Sequence, residues 1–145
     1  MSSNIDLALK VAWAMYGTAY KWGGDDPVGG TDCSGFITEI LRSTGDCGPK
    51  ERLTTHTIWQ RWGIGGDNAV DEDAIEAGDI ILYSKDDTAG GINHVVMALS
   101  PNFIIEAGGG WQDTDTLAEA AAANAFVRVR PLDRKRLFAA LRIID

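Results

Sequence analysis

His94-Val95-Val96-Met97-Ala98-Leu99-Ser100-Pro101-Asn102-Phe103-Ile104-Ile105-Glu106-Ala107 is two apolar runs joined by three turn-forming residues, the pattern of two antiparallel strands closed by a hairpin. Both runs are short and rich in β-branched residues, so strands are expected over 92–99 and 103–107. Asp79 to Tyr83 upstream and Phe126 to Arg130 downstream read the same way, set between Gly, Asn and Pro signals. These late segments predict an antiparallel sheet.

The first half is helical. Ile5, Leu9, Ala12 and Tyr16 recur at helical spacing, with Ser3 and Asp6 as a capping box and Gly17 as a stop. A loop from Gly23 to Gly30 leads to Thr31 or Asp32, either of which can cap a second helix with Phe36, Ile37, Ile40 and Leu41 on its apolar face and Gly45 at its end. Thr55 to Trp62 reads as a short third helix, and the alanine-rich Leu117 to Ala125 is helix-prone. Val127 and Val129 alternate as in a strand, after which Leu132, Leu137, Phe138 and Leu141 predict an amphipathic helix. Helices first and sheet later is an α+β order. A chain of 145 residues, 45% of them hydrophobic, fits one domain, expected over residues 1–145.

Charge narrows the function classes. Thirteen basic and 21 acidic residues leave a net charge of −8, which argues against a nucleic-acid partner. Residues 65–87 alone hold eight acids and one lysine; the stretch reads as a solvated loop, and its spacing fits no calcium-binding loop, so no metal is expected. The six bases from Arg128 to Arg142 read as a solvated face. No run of about 18 apolar residues occurs, and Met1 to Lys10 lack the order of a secretory signal. The expectation is a chain made in the cytoplasm, with no membrane partner.

Two cysteines without an export signal do not make a disulfide framework. Cys47, in Gly45-Asp46-Cys47-Gly48-Pro49, reads as a loop thiol. A helix from Cys33 to Thr44 would hold the two cysteines more than ~15 Å apart, against a dithiol redox pair. Cys33 falls in the first helical turn, where unpaired N–H groups and the positive end of the helix dipole favour a thiolate. Gly35 leaves room for a close approach to that helix end. A cysteine nucleophile needs a base. Of the two histidines, His56 sits where a capping or surface role is expected, whereas His94 is mounted on a rigid strand. Glu106, twelve residues on, falls roughly opposite His94 across the hairpin and can orient the imidazole.

Tyr20-Lys21-Trp22-Gly23-Gly24, Asp32-Cys33-Ser34-Gly35-Phe36, Ala77-Gly78-Asp79-Ile80-Ile81-Leu82-Tyr83, His94-Val95 and Ile104-Ile105-Glu106-Ala107 resemble, in order, the blocks of the NlpC/P60 cysteine peptidases. The resemblance covers roughly Tyr16 to Arg142. It implies a papain-like α+β fold and a thiol protease that hydrolyses cell-wall stem peptides through a thioacyl-enzyme, often between D-γ-glutamyl and a diamino acid such as diaminopimelate. Cys33 becomes the nucleophile, His94 the general base and Glu106 the orienting residue, where histidine is more common in the family. Tyr20 would assist at the oxyanion, while Asp32 and Ser34 match positions that recognise a free stem-peptide amine. Gly108-Gly109-Gly110-Trp111-Gln112 would form a flexible lip, with Trp111 either covering substrate or packed in the core.

No metal or organic cofactor is implied, and the expected partner is peptidoglycan or a muropeptide. The protein is expected to be a monomer, alone or within a phage or secretion assembly that delivers it to the wall. Amidase or acyltransferase chemistry on the same site is the alternative within enzymes. Outside enzymes, the alternative is a muropeptide-binding or phage structural module.

Overall fold

The computed structural model describes residues 3–145. Its first helix, α1 (Ser3–Ala14), includes Ser3, so Ser3 lies within the helix where a capping box would have it just outside. Ala8 and Ala12 bring α1 against the second helix, α2 (Cys33–Thr44). The sequence dictates both ends of α2. The Asp32 carboxylate accepts the Gly35 N–H, and Gly45 takes the left-handed conformation at φ 79° that closes a helix. Its inner face buries Phe36, Ile37, Ile40 and Leu41 completely. Cys47 belongs to this core rather than to a solvent loop, because the chain folds back under the helix end.

A two-residue ribbon, β1 (Asp25–Asp26) with β2 (Gly30–Thr31), closes the loop ahead of α2. After α2 come α3 (Thr55–Ile58), capped by Thr54 and Thr57, and a π-helical turn at Trp59–Gly63. His56 lies exposed on α3 and plays no part in the cap.

The main sheet is built from β3 (Ala69–Val70), β4 (Ile80–Ser84), β5 (Ile92–Ala98), β6 (Phe103–Gly108), β7 (Phe126–Pro131) and β8 (Leu137–Leu141). Its spatial order is β3-β8-β4-β5-β6-β7, with every neighbour antiparallel. The helix α4 (Leu117–Ala123) joins β6 to β7. One sheet face carries the large core shared with α1 and α2. The other carries a smaller cluster of Ile81, Tyr83, Val96, Ala98, Ile104 and Ala140.

The expected C-terminal helix is a correction: Leu137–Leu141 is a strand. Leu132, Leu137, Phe138 and Leu141 fit a 3.6-residue period by accident, because β8 sits between β3 and β4 with apolar contacts on both faces and so shows no alternation. The acidic stretch is structured in part. Arg142 holds the buried carboxylate of Asp79 through Nε and Nη2, both at 2.9 Å, and Arg134 reaches the Glu72 carbonyl at 2.9 Å.

Candidate active site

Cys33 is the first residue of α2, so its N–H has no carbonyl within the helix to serve. His94 enters from β5 just after an irregularity in the ladder. Tyr83 pairs with His94 but Ser84 pairs with Ile92, which leaves Asn93 as an extra residue. Such a bulge re-aims the side chains beside it. Cys33 and His94 line the same cleft, near enough for the thiol to act on the imidazole's affinity for protons. On the far side of the ring, His94 Nε2 donates to Glu106 Oε1 at 3.0 Å, which leaves Nδ1 for the sulfur.

The pairing of β5 with β6 sets Met97 against Ile105 and Ala98 against Ile104. Continued, that register places Val96 opposite Glu106, so His94 meets Glu106 diagonally rather than face to face. Glu106 is 6% exposed and is held from the opposite strand as well: Arg128 Nε donates to Oε2 at 3.0 Å. Burial disfavours the Glu106 carboxylate, but the hydrogen bonds and charges of His94 and Arg128 outweigh it and keep its pKa below the ordinary glutamate range. Burial likewise disfavours the imidazolium, yet hydrogen bonds and charge from Cys33 and Glu106 lift His94 to about 9. The ring is therefore an acid at neutral pH, with its orientation held through Nε2 by Glu106.

Around this row runs a cleft of about 660 Å³. Tyr20 forms part of its wall, pinned by backbone bonds to Ala125 and a bridge to Thr31. Burial, followed by the charges of Cys33 and Asp32, pushes the Tyr20 phenol upward, so it remains a proton donor throughout the physiological range. Asp32 and Ser34 line the same wall, and both are engaged by Arg52, which donates to Asp32 Oδ1 at 2.8 Å and to Ser34 Oγ at 3.0 Å. Gly23 N–H occupies the other Asp32 oxygen at 3.0 Å. Trp111 is not a core residue. It is half-exposed on the cleft rim against Trp22, with ring centroids 5.4 Å apart, and Thr114 ties the backbones of both.

Two glycine expectations are corrected by packing. The space beside Gly35 is filled by the chain itself: a Cβ there would stand 2.0 Å from the Gly24 carbonyl oxygen and 2.7 Å from Thr31 Oγ1. Nor is the Gly108–Gly110 run a loose lip. A Cβ on Gly108 would lie 2.1 Å from Glu106 Oε2, and one on Gly110 2.1 Å from the Tyr20 ring. These residues are small because the carboxylate and the phenol lie across them.

Arg52, Arg128 and Trp22 escaped the sequence reading. Arg52 meets Asp32 from twenty residues away, with no local pattern to announce it. Arg128 had a signal: the Val127 and Val129 alternation places it on the sheet face opposite those valines. Among the described residues no group of three or more His, Cys, Asp or Glu is placed to hold a metal ion.

The profile of the NlpC/P60 family matches residues 17–131, a span that includes Tyr20, Cys33, His94, Glu106 and Arg128. The chain belongs to the NlpC/P60 family. It is 28% identical over 135 residues to a probable peptidoglycan endopeptidase, LytE, of Bacillus subtilis, covering 93% of this chain and 35% of that protein. It is 30% identical over 105 residues to a gamma-D-glutamyl-L-lysine dipeptidyl-peptidase of Bacillus cereus, covering 69% of this chain and 27% of that protein. The chain thus spans about a third of the length of these curated relatives. Among solved structures, RipD of Mycobacterium tuberculosis, described as a non-catalytic NlpC/P60 domain protein adapted to peptidoglycan binding, shares the fold. Its TM-score is 0.66 at 16% identity, with 98% of each chain covered. The papain-like α+β NlpC/P60 fold, with the helix that Cys33 opens packed on an antiparallel sheet, is the architecture found here.

Proposed function

We propose that this NlpC/P60 domain is a cysteine endopeptidase that hydrolyses peptidoglycan stem peptides at the bond between D-γ-glutamyl and a diamino acid. The observation that carries this is the row Cys33, His94, Glu106, with the thiol at a helix N-terminus in the same cleft as an imidazole that is bonded to a buried carboxylate. In the reacting form His94 already holds the proton that Cys33 has given up, so a thiolate faces an imidazolium. The thiolate attacks the peptide carbonyl carbon, and the Cys33 N–H and the Tyr20 hydroxyl steady the oxyanion. His94 then protonates the departing amine as the thioester forms. In the second half His94 takes a proton from water, the hydroxide opens the thioester, and the acid product leaves with the thiol restored. The names of the two Bacillus relatives support peptidoglycan as the substrate and a γ-D-glutamyl bond as the target.

Purified muropeptides of known sequence, digested and read by mass spectrometry, test this proposal. The wild type should release fragments cut after D-glutamate, while Cys33→Ala and His94→Ala, folded as judged by circular dichroism, should release none. The same fragments from the alanine variants would overturn the assignment.

The likeness to RipD favours a second reading, a domain that binds peptidoglycan without cutting it. Alkylation of Cys33 separates the two. A working nucleophile reacts rapidly with iodoacetamide near neutral pH and is protected by substrate, and a slow thiol with no turnover would point to the binding module.

A further inference from the structure

Three arginines border the cleft, and two are already engaged. Arg52 is paired with Asp32 and Arg128 with Glu106, whereas Arg136 forms no ion pair among the described residues. Its guanidinium is not loose. It lies over the Tyr83 ring, Cζ 5.0 Å from the centroid, and the His94 ring packs beside the same tyrosine at 5.8 Å. Tyr83 is itself fixed: it is buried, opposite His94 in the ladder, and its hydroxyl accepts the Asp133 N–H at 3.0 Å. Arg136 therefore stands one ring away from the general acid.

A recess of about 100 Å³ shares Glu106, Arg128 and Arg136 with the cleft and also presents Arg130, again without an ion pair among the described residues. The recess holds two carboxylates. Glu106 is matched by Arg128 and His94, and Asp133 turns Oδ1 toward the N–H groups of Lys135 and Arg136 at 3.1 and 3.4 Å. Positive charge is in excess there. In the proposed hydrolysis the leaving nitrogen lies against His94, which Tyr83 and Arg136 flank, so the leaving residue is brought to the part of the cleft that Arg136 borders.

We propose that Arg136, with Arg130 behind it, binds a side-chain carboxylate on the leaving residue, so that the preferred leaving residue is a diamino acid with a second carboxylate, as in diaminopimelate, over lysine, which lacks it. A guanidinium held by an aromatic face presents a planar fork to a carboxylate and loses little freedom on binding. The inference deepens the proposed hydrolysis and rests on it for the direction of the chain.

The test uses stem tetrapeptides that differ only at this group: diaminopimelate with its side-chain carboxylate free, the same residue amidated there, and lysine. A fourth peptide carries the free diaminopimelate but an amidated C-terminus. Rates are measured on the wild type, Arg136→Met and Arg136→Lys, and affinities by calorimetry on the same proteins with Cys33→Ala added. The free-carboxylate peptide should be favoured about tenfold or more over the amidated one. Arg136→Met should bring that preference close to one, and Arg136→Lys should restore part of it. An equal fall on all peptides in Arg136→Met would make the residue structural and overturn the proposal. So would a preference that survives the substitution, or one that follows the C-terminal carboxylate. If every peptide is cut alike, the hydrolase stands and this site falls. If Cys33→Ala shows the preference while the wild type cuts nothing, the site stands and the hydrolase falls. Neither binding nor cleavage would remove both.

Discussion

Arg128 and Glu106 are register partners across β6 and β7, joined at 3.0 Å through the carboxylate oxygen that His94 does not use. The proposed catalytic row thus gains a fourth member, a positioning residue that holds the glutamate charged and in place.

Replacing Arg128 with methionine should lower kcat/KM roughly tenfold, the scale of one charge-assisted hydrogen bond. A positioning role predicts more than a loss of rate. Without the guanidinium, Glu106 takes up a proton at higher pH, and a neutral Glu106 no longer holds His94, so the acid limb of the pH–rate profile should move upward. Arg128→Lys should recover part of both effects. A reduced rate with an unmoved acid limb would show that Arg128 serves packing alone.

Glu106→Gln preserves the size of the side chain and removes the charge. His94 stands at about 9 because the bonds and charges of Cys33 and Glu106 overcome its burial. Losing one of them must lower it. Since the imidazolium protonates the leaving amine, the alkaline limb of kcat/KM should move to lower pH, and the His94 ring resonances should titrate at lower pH in step. A ring that titrates where the wild type does would remove Glu106 from the account.

Asp32 occupies a place read as a contact for a free stem-peptide amine, yet its carboxylate is the cap of α2 and the partner of Arg52 and Gly23. An ammonium arriving there would meet a carboxylate already neutralised by a guanidinium. Free and N-acetylated forms of the same stem peptide should accordingly be cleaved within about threefold of each other, since little binding energy is available to discriminate them. A preference for the free amine of about a hundredfold, lost in Ser34→Ala, would contradict this.

Local signals were what the chain made legible. The hairpin from His94 to Glu106 rests on a three-residue turn, and α2 on an aspartate cap and a left-handed glycine, all within a few residues of one another. Cys33 and His94 could be paired from chemistry alone because the chain offers so few nucleophiles and bases. Features set by tertiary surroundings stayed hidden. β8 is flanked on both sides, so its apolar run carries no period that tells strand from helix. The partner of Asp32 lies twenty residues away, and the glycines after Glu106 are explained only by the carboxylate and phenol that lie against them. In the sequence these glycines read as a flexible lip, because the atoms that fill the space beside them are not local.

Gly35 gives the sharpest contrast between local spacing and tertiary packing. Were its opening meant for substrate, Gly35→Ala would raise KM and leave stability unchanged. The opening is instead filled by the Gly24 carbonyl oxygen, 2.0 Å from where the alanine methyl would stand, and by the Thr31 hydroxyl at 2.7 Å, both belonging to the loop that closes over the start of α2. The carbonyl cannot yield without displacing β1 and β2, so the substitution should destabilise the domain by about 2 kcal/mol. Urea unfolding should show a lower midpoint with an unchanged slope. Because Asp32 N–H also bonds the Gly24 carbonyl at 3.0 Å, the Cys33 end of α2 should shift with the loop, lowering kcat more than it raises KM. Full stability with a purely KM defect would return Gly35 to the substrate side of the cleft.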